Sequence, residues 1–177
     1  MRGAHEFALA LFSLSEELRI TESVLSDLKD SKRALLDNPE YIKLCDTPSI
    51  AKSEKLSLID RAFSPVDETV RNLLMILSEK HSVYIFPEIV KEFIALYNES
   101  RNICEAEAIS AVALSAEELS AIEKKLMQMT GKSIIMKNTI DPAVLGGIKL
   151  RYMGKQLDGT LRARLSAIEN SLKNTIL

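Results

Sequence analysis

The chain has 177 residues, of which 46% are apolar and 27% charged, with a net charge of −2 at pH 7. This length can hold one ordinary domain or two small ones around a real core, and the near-neutral balance excludes a polycation that grips nucleic acid or an acidic membrane by global charge. With 5% aromatic residues, no Trp, and abundant Leu, Ile, Ala, Glu, Lys and Ser, the composition is that of packed amphipathic helices.

Up to about residue 104, apolar residues recur at intervals of three and four, broken by turn signals at Asn38-Pro39, Thr47-Pro48 and Ser64-Pro65. The pattern predicts an N-terminal bundle of six helices over residues 1–104. Phe7, Leu11, Leu14 and Leu18 mark the first helix. Val24, Leu25, Leu28, Leu35 and Leu36 mark the second, and Tyr41, Ile42 and Leu44 a short third. Leu56, Ile59 and Phe63 follow, then Val70, Leu74 and Leu77. Phe86, Ile89, Val90, Phe93 and Tyr97 line a last long helix, with Pro87 near its start, where a missing N–H costs little.

Residues 105–177 read as a small α+β domain in the order strand, helix, strand, strand, helix. Glu105 to Leu114 has strand character. Ser115-Ala116-Glu117-Glu118 has the spacing of a capping box, ahead of a helix carrying Leu119, Ile122, Leu126 and Met129, which Gly131 closes. Ser133–Lys137 makes the next strand. Ile148, Leu150 and Tyr152 alternate with Lys149, Arg151 and Met153 in a third, before a tight turn at Met153-Gly154-Lys155. Asp158 or Thr160 caps a final helix bearing Leu161, Leu165, Ile168, Leu172 and Ile176.

Two segments carry surplus information. The first and fifth helices are more apolar than a free bundle needs. Phe7, Ala10, Leu11, Leu14 and Leu18 form one stripe with Ala8 and Phe12 beside it, and Leu73 and Ile76 stand next to Val70, Leu74 and Leu77. Neighbouring helices can bury such a second stripe, or a partner's helix can dock there. The other segment runs from Asp141-Pro142 through Gly146-Gly147 to Asp158-Gly159, a dense sequence of turn signals without nucleophile, base or metal ligands.

No catalytic residue, cofactor site or metal site is expected. Thr130-Gly131-Lys132-Ser133 resembles the tail of a phosphate loop, but Leu126 occupies the position of the required second Gly. His5 and His81 have no partner at triad or metal spacing. Cys45 and Cys104 lie far apart and read as buried thiols. Asp141 and Asp158 precede Pro and Gly, in turns where carboxylates accept backbone N–H bonds. Lys149, Arg151, Lys155, Arg162 and Arg164 make a modest basic edge, the basis of one alternative, a small RNA-binding adaptor. The loops and aromatics that such a fold needs are missing. No apolar run approaches the ~20 residues that span a bilayer.

Phe7-Ala8-Leu9-Ala10-Leu11-Phe12, Pro48 with Lys55, Asn72-Leu73-Leu74, Pro87-Glu88-Ile89 and Ala113-Leu114-Ser115 appear in order along the chain. They are followed by Asp141-Pro142, Gly146-Gly147-Ile148 and Asp158-Gly159-Thr160. Together these motifs resemble the delta-subunit family of bacterial F-type ATP synthases, whose mitochondrial counterpart is the oligomycin sensitivity-conferring protein. The resemblance covers nearly the whole length, with Phe7 in place of the usual Tyr, Ser82 in place of a common Arg, and the hairpin Gly displaced by one position to Gly154.

The resemblance implies a non-catalytic stator subunit that ties the catalytic head to the peripheral stalk, so that rotor torque is coupled to ATP synthesis or hydrolysis. It further implies that Phe7, Ala10, Leu11, Leu73 and Ile76 receive the N-terminal helix of an alpha subunit, and that residues 105–177 meet the b subunits. Gly146, Gly147, Asp158 and Gly159 would shape that C-terminal part. One copy per complex is expected, peripheral on the cytoplasmic face of the cell membrane, with no nucleic acid bound and no membrane insertion.

Overall fold

The structure, a computed structural model, describes residues 2–144 and 146–160. These residues are mainly helical, with one small four-stranded sheet. The chain divides into two compact units, Met1–Tyr97 and Asn98–Leu177. The sequence-based division at residue 104 follows the change of pattern from helix to strand. The compact units divide slightly earlier, inside the last helix of the first segment.

The helices of the first segment are α1 (Arg2–Leu18), α2 (Thr21–Asp37), α3 (Pro39–Asp46), α4 (Lys52–Ala62), α5 (Glu68–Glu79) and α6 (Phe86–Ser100), with a 3-10 turn at Val83–Ile85. Their boundaries have local causes. Pro39 sits in the first turn of α3, where no amide is needed. Asp67 caps α5 by accepting from the Thr69 amide at 2.8 Å, and its own amide donates to Asp27 of α2. Asp46, at the end of α3, accepts from the amides of Val83 and Tyr84 at 2.7 and 3.1 Å and so ties that helix to the 3-10 turn.

One apolar core runs through this unit. Leu28, Leu35, Ile59, Leu74, Leu77, Phe86, Ile89 and Phe93 are essentially sealed from solvent. Each such side chain contributes ~1.5–3 kcal/mol relative to full exposure.

The second unit is built on β1 (Ile103–Ser110), α7 (Ala116–Thr130), β2 (Ser133–Ile140), β3 (Ile148–Tyr152) and β4 (Lys155–Asp158). The sheet order is β2-β1-β3-β4. β1 and β2 run parallel, Ile103 opposite Ser133, and α7 is the crossover that a parallel pair requires. β3 is antiparallel to β1, Ala106 opposite Tyr152, and antiparallel to β4. A core of Cys104, Ala106, Leu126 and Ile134, with Ile122, Met136 and Tyr152 against it, lies between α7 and the sheet. The capping box is present: Ser115 Oγ accepts from the Glu118 amide while Glu118 accepts from the Ser115 amide at 2.8 Å. Gly131 closes α7 in the left-handed conformation, φ 68°.

Three sequence expectations change. The first strand was expected over residues 105–114. It starts at Ile103 and stops at Ser110, where Ser110 Oγ donates to the Val112 carbonyl and Asn138 accepts the Leu114 amide, drawing the chain out of the ladder. The order strand, helix, strand, strand, helix omitted β4. Met153 and Gly154 both take positive φ, 47° and 72°, the two-residue turn that returns the chain directly into a paired strand. The second strand extends to Ile140, beyond Lys137. The expected final helix, Leu161 to Ile176, lies outside the described residues, as do Arg162 and Arg164.

Candidate partner surface and signature turn

α1 is nearly apolar all round, and the structure decides which stripe turns inward. Ala4, Ala8, Leu11 and Ser15 are buried, with Phe7 and Phe12 packed at the sides. Three of these four are small, which lets neighbouring helices approach closely. Phe12 meets Phe93 of α6 edge-on, with ring centroids 5.6 Å apart, and His5 lies 2.9 Å from Glu92 of the same helix. Leu14 and Leu18, on the stripe shared with Phe7, Ala10 and Leu11, point outward at 42% and 53% exposure, together with Leu9 and Ala10. On α5, Val70, Leu73, Leu74 and Leu77 are buried, while Ile76 is 45% exposed.

The five residues nominated for a partner helix therefore separate. Leu11 and Leu73 belong to one buried cluster and Phe7 packs half-buried against it, so the fold brings these three together. Ala10 and Ile76 face outward, on α1 and α5. Sequence reasoning left open which stripe of α1 turns inward. The signal available was the small-residue series Ala4, Ala8, Ser15, which favours close helix packing.

The turn signature is organised by backbone contacts. Asp141 accepts from the Ala143 amide at 2.9 Å, and its own amide donates to Ser110 at the end of β1. Gly146 and Gly147 have φ of 146° and 81°. A Cβ on Gly147 would lie 2.4 Å from the Gly159 carbonyl oxygen and 2.9 Å from Thr160 Cα. The Gly159 amide donates to the Ile148 carbonyl at 3.0 Å, so two glycine backbones cross where β3 begins and β4 ends. Asp158 accepts from the Thr160 amide at 3.0 Å. The hydrogen bonds from Thr160 hold its carboxyl below the usual range, with Lys149 adding to the effect. Gly147, Gly159 and Thr160 meet at this crossing, with Asp158 beside it, whereas Asp141 turns the chain at the end of β1.

Two residues of the basic edge are paired with acids. Arg151 lies 3.4 Å from Glu107, and Lys149 is 3.9 Å from Asp158. Glu107 is held below its ordinary carboxylate range by Thr139 first and Arg151 next. Cys45 and Cys104 are both free thiols and buried. Burial, reinforced by Asp46, pushes the Cys45 thiol up. Among the described residues no group of His, Cys, Asp and Glu could hold a metal ion, and no helix is long and apolar enough to cross a membrane.

Comparison with known proteins supplies the class. The subunit delta of ATP synthase from Geobacillus sp. (strain WCH70) is 31% identical over 170 residues, covering 96% of each chain. The corresponding subunit of Bacillus mycoides (strain KBAB4) is 34% identical over 170 residues, covering 96% of this chain and 94% of its own. Among solved structures, a chain of the Toxoplasma gondii mitochondrial ATP synthase hexamer shares the fold, with a TM-score of 0.73 at 18% identity over 96% of both chains. The class is thus that of structural subunits of ATP synthase, non-catalytic parts of its peripheral stalk. The family model described as ATP synthase delta (OSCP) subunit matches residues 4–172, and the chain belongs to that family.

Proposed function

We propose that this chain is the stator link of a bacterial F-type ATP synthase, one copy per complex, peripheral on the cytoplasmic face of the cell membrane. In this reading α1–α6 act as a six-helix bundle, residues 1–104, that receives the N-terminal helix of an alpha subunit. Residues 105–177 meet the b subunits of the peripheral stalk. The observation that carries the reading is the apolar surface left uncovered on α1 and α5, where Leu14, Leu18 and Ile76 remain more than two-fifths exposed. An amphipathic helix laid on such a surface buries the apolar area that the monomer leaves wet.

Within this surface the nominated residues have distinct tasks. Ala10 and Ile76 touch the incoming helix. Phe7, half in the core, supports it, and Leu11 and Leu73 hold the two helices in place from beneath. Gly146, Gly147, Asp158 and Gly159 fix the shape of the C-terminal unit.

Titration of the purified chain with a peptide of the alpha-subunit N-terminus tests this. Saturable binding is expected, and it should be lost in Ala10→Asp and Ile76→Asp with the circular dichroism unchanged. No binding, or binding indifferent to Ala10→Asp, would sink the proposed surface. Leu73→Ala should instead cost stability, ~2–5 kcal/mol, because it opens a cavity in the core.

A further inference from the structure

The buried lysine of the first unit is held by a partner that titrates. Lys55 in α4 is only 3% exposed. Its Nζ lies 3.2 Å from His81 Nδ1, its one hydrogen-bond partner among the described residues. An ammonium only donates, so Nδ1 accepts and the neutral ring carries its proton on Nε2.

His81 stands where a helix end favours glycine. α5 closes with the His81 amide donating to the Ser78 carbonyl at 3.1 Å and the Ser82 amide to the Leu77 carbonyl at 2.8 Å, and His81 between them has φ 53°. That closing pattern needs a left-handed residue, which glycine supplies without strain. A histidine there is conformationally costly, and the position brings its ring to the ammonium of another helix.

Protonation of the ring reverses this contact. An imidazolium has no lone pair to offer, and it sets a second cation 3.2 Å from the first. The two acids nearby are engaged. Glu79 from α5 and Lys52 from α4 line the same cavity as the pair and lie 2.9 Å from each other. Asp46 at the end of α3 accepts from the Val83 and Tyr84 amides, and the Cys45 thiol before it is neutral, since burial pushes it up. Lys80, next in the chain, is a further cation, and Tyr84 of the 3-10 turn brings a phenol.

We propose that Lys55 and His81 form an acid-sensitive latch between α4 and the end of α5, closed while the imidazole is neutral and released when it takes up a proton. The unfolded chain accepts that proton freely and the closed latch resists it. The latch therefore contributes fully above the range in which a free imidazole titrates, about pH 6.5, and its contribution is lost as pH falls below it. Neither residue is among those nominated for a partner helix, so the latch and the stator reading can each fail without the other.

Thermal unfolding of the full chain at about pH 8 and about pH 5.5 tests this, since a free imidazole gains its proton in that interval. His81→Asn keeps a residue that tolerates the left-handed region and puts an amide oxygen in the place of Nδ1, so it can accept from Lys55 but cannot titrate. Lys55→Met removes the cation that opposes protonation. On acidification the Tm of the parent's first unit should fall by roughly 5 °C more than that of either variant. His5, the other histidine, is common to all three chains and drops out of the difference. The ¹⁵N spectrum of the His81 ring should show the Nε2–H tautomer at the higher pH. Equal pH dependence in the parent and His81→Asn, or a neutral ring protonated on Nδ1, overturns the proposal. Should Lys55→Met not fold, those two measurements decide it.

Discussion

Gly147 sets the clearest limit on what single positions tolerate. Its φ is 81°, and the Gly159 carbonyl oxygen stands 2.4 Å from where a Cβ would be, which leaves no room for a side chain. Gly147→Ala should therefore destabilise the second unit by roughly 3 kcal/mol, the sum of a left-handed backbone penalty and a backbone clash, as read from urea unfolding. Tyr41 is the opposite case. Its ring packs edge-on to Phe63, with centroids 6.2 Å apart, but its hydroxyl is buried without a hydrogen-bond partner among the described residues. Burial pushes that phenol above its ordinary range, and the Cys45 thiol beside it adds to the effect. Tyr41→Phe should leave thermal stability within about 0.5 kcal/mol of the parent or raise it, because the lost hydroxyl was contributing little and had been desolvated. Lys55 shows where single residues mislead. A lysine at helical spacing reads as surface, and only the packing of α4 near the His81 turn reveals it as buried.

At the scale of elements, caps were legible because their signals are local. Ser115, Glu118 and Gly131 specify the ends of α7 through neighbours within four residues, and all three act as the spacing predicted. Ser115→Ala should cost about 1 kcal/mol in thermal unfolding. The same cap makes a pH prediction. Hydrogen bonds from Ser115 hold the exposed Glu118 carboxyl below its ordinary value of 4.5. A carboxyl with a depressed folded pKa stabilises above its unfolded pKa and loses that contribution as pH falls through the folded value. Glu107 and Asp158 act in the same direction, so acid titration should unfold the second unit progressively below about pH 4.5, and Glu118→Gln should flatten its part of the profile.

β4 was not legible. Lys155, Gln156, Leu157 and Asp158 are all exposed, with one apolar residue among them, so neither alternation nor hydrophobicity marks a strand. Pairing with β3 and the Met153-Gly154 turn create it. Nor could hydropathy choose the inward face of α1, where two adjacent stripes are apolar. Close approach of neighbouring helices selected the small residues, and that is a tertiary property.

For the whole molecule, the described residues of the two units differ in how much core they form. Eighteen buried apolar residues form the cluster of the first unit, against four in the second among the described residues. A fragment of residues 1–100, which keeps α6 whole, should fold alone and melt cooperatively by circular dichroism. A broad, non-cooperative melt would show that its core is insufficient. Each unit also carries one sulfhydryl sealed inside it: Cys45 in the first at 0% exposure and Cys104 in the second at 4%. A thiol reagent therefore reacts only when the unit that holds its target opens. Labelling kinetics resolved by peptide would give two independent clocks within one unaltered chain, one timing the opening of the helical unit and the other that of the sheet.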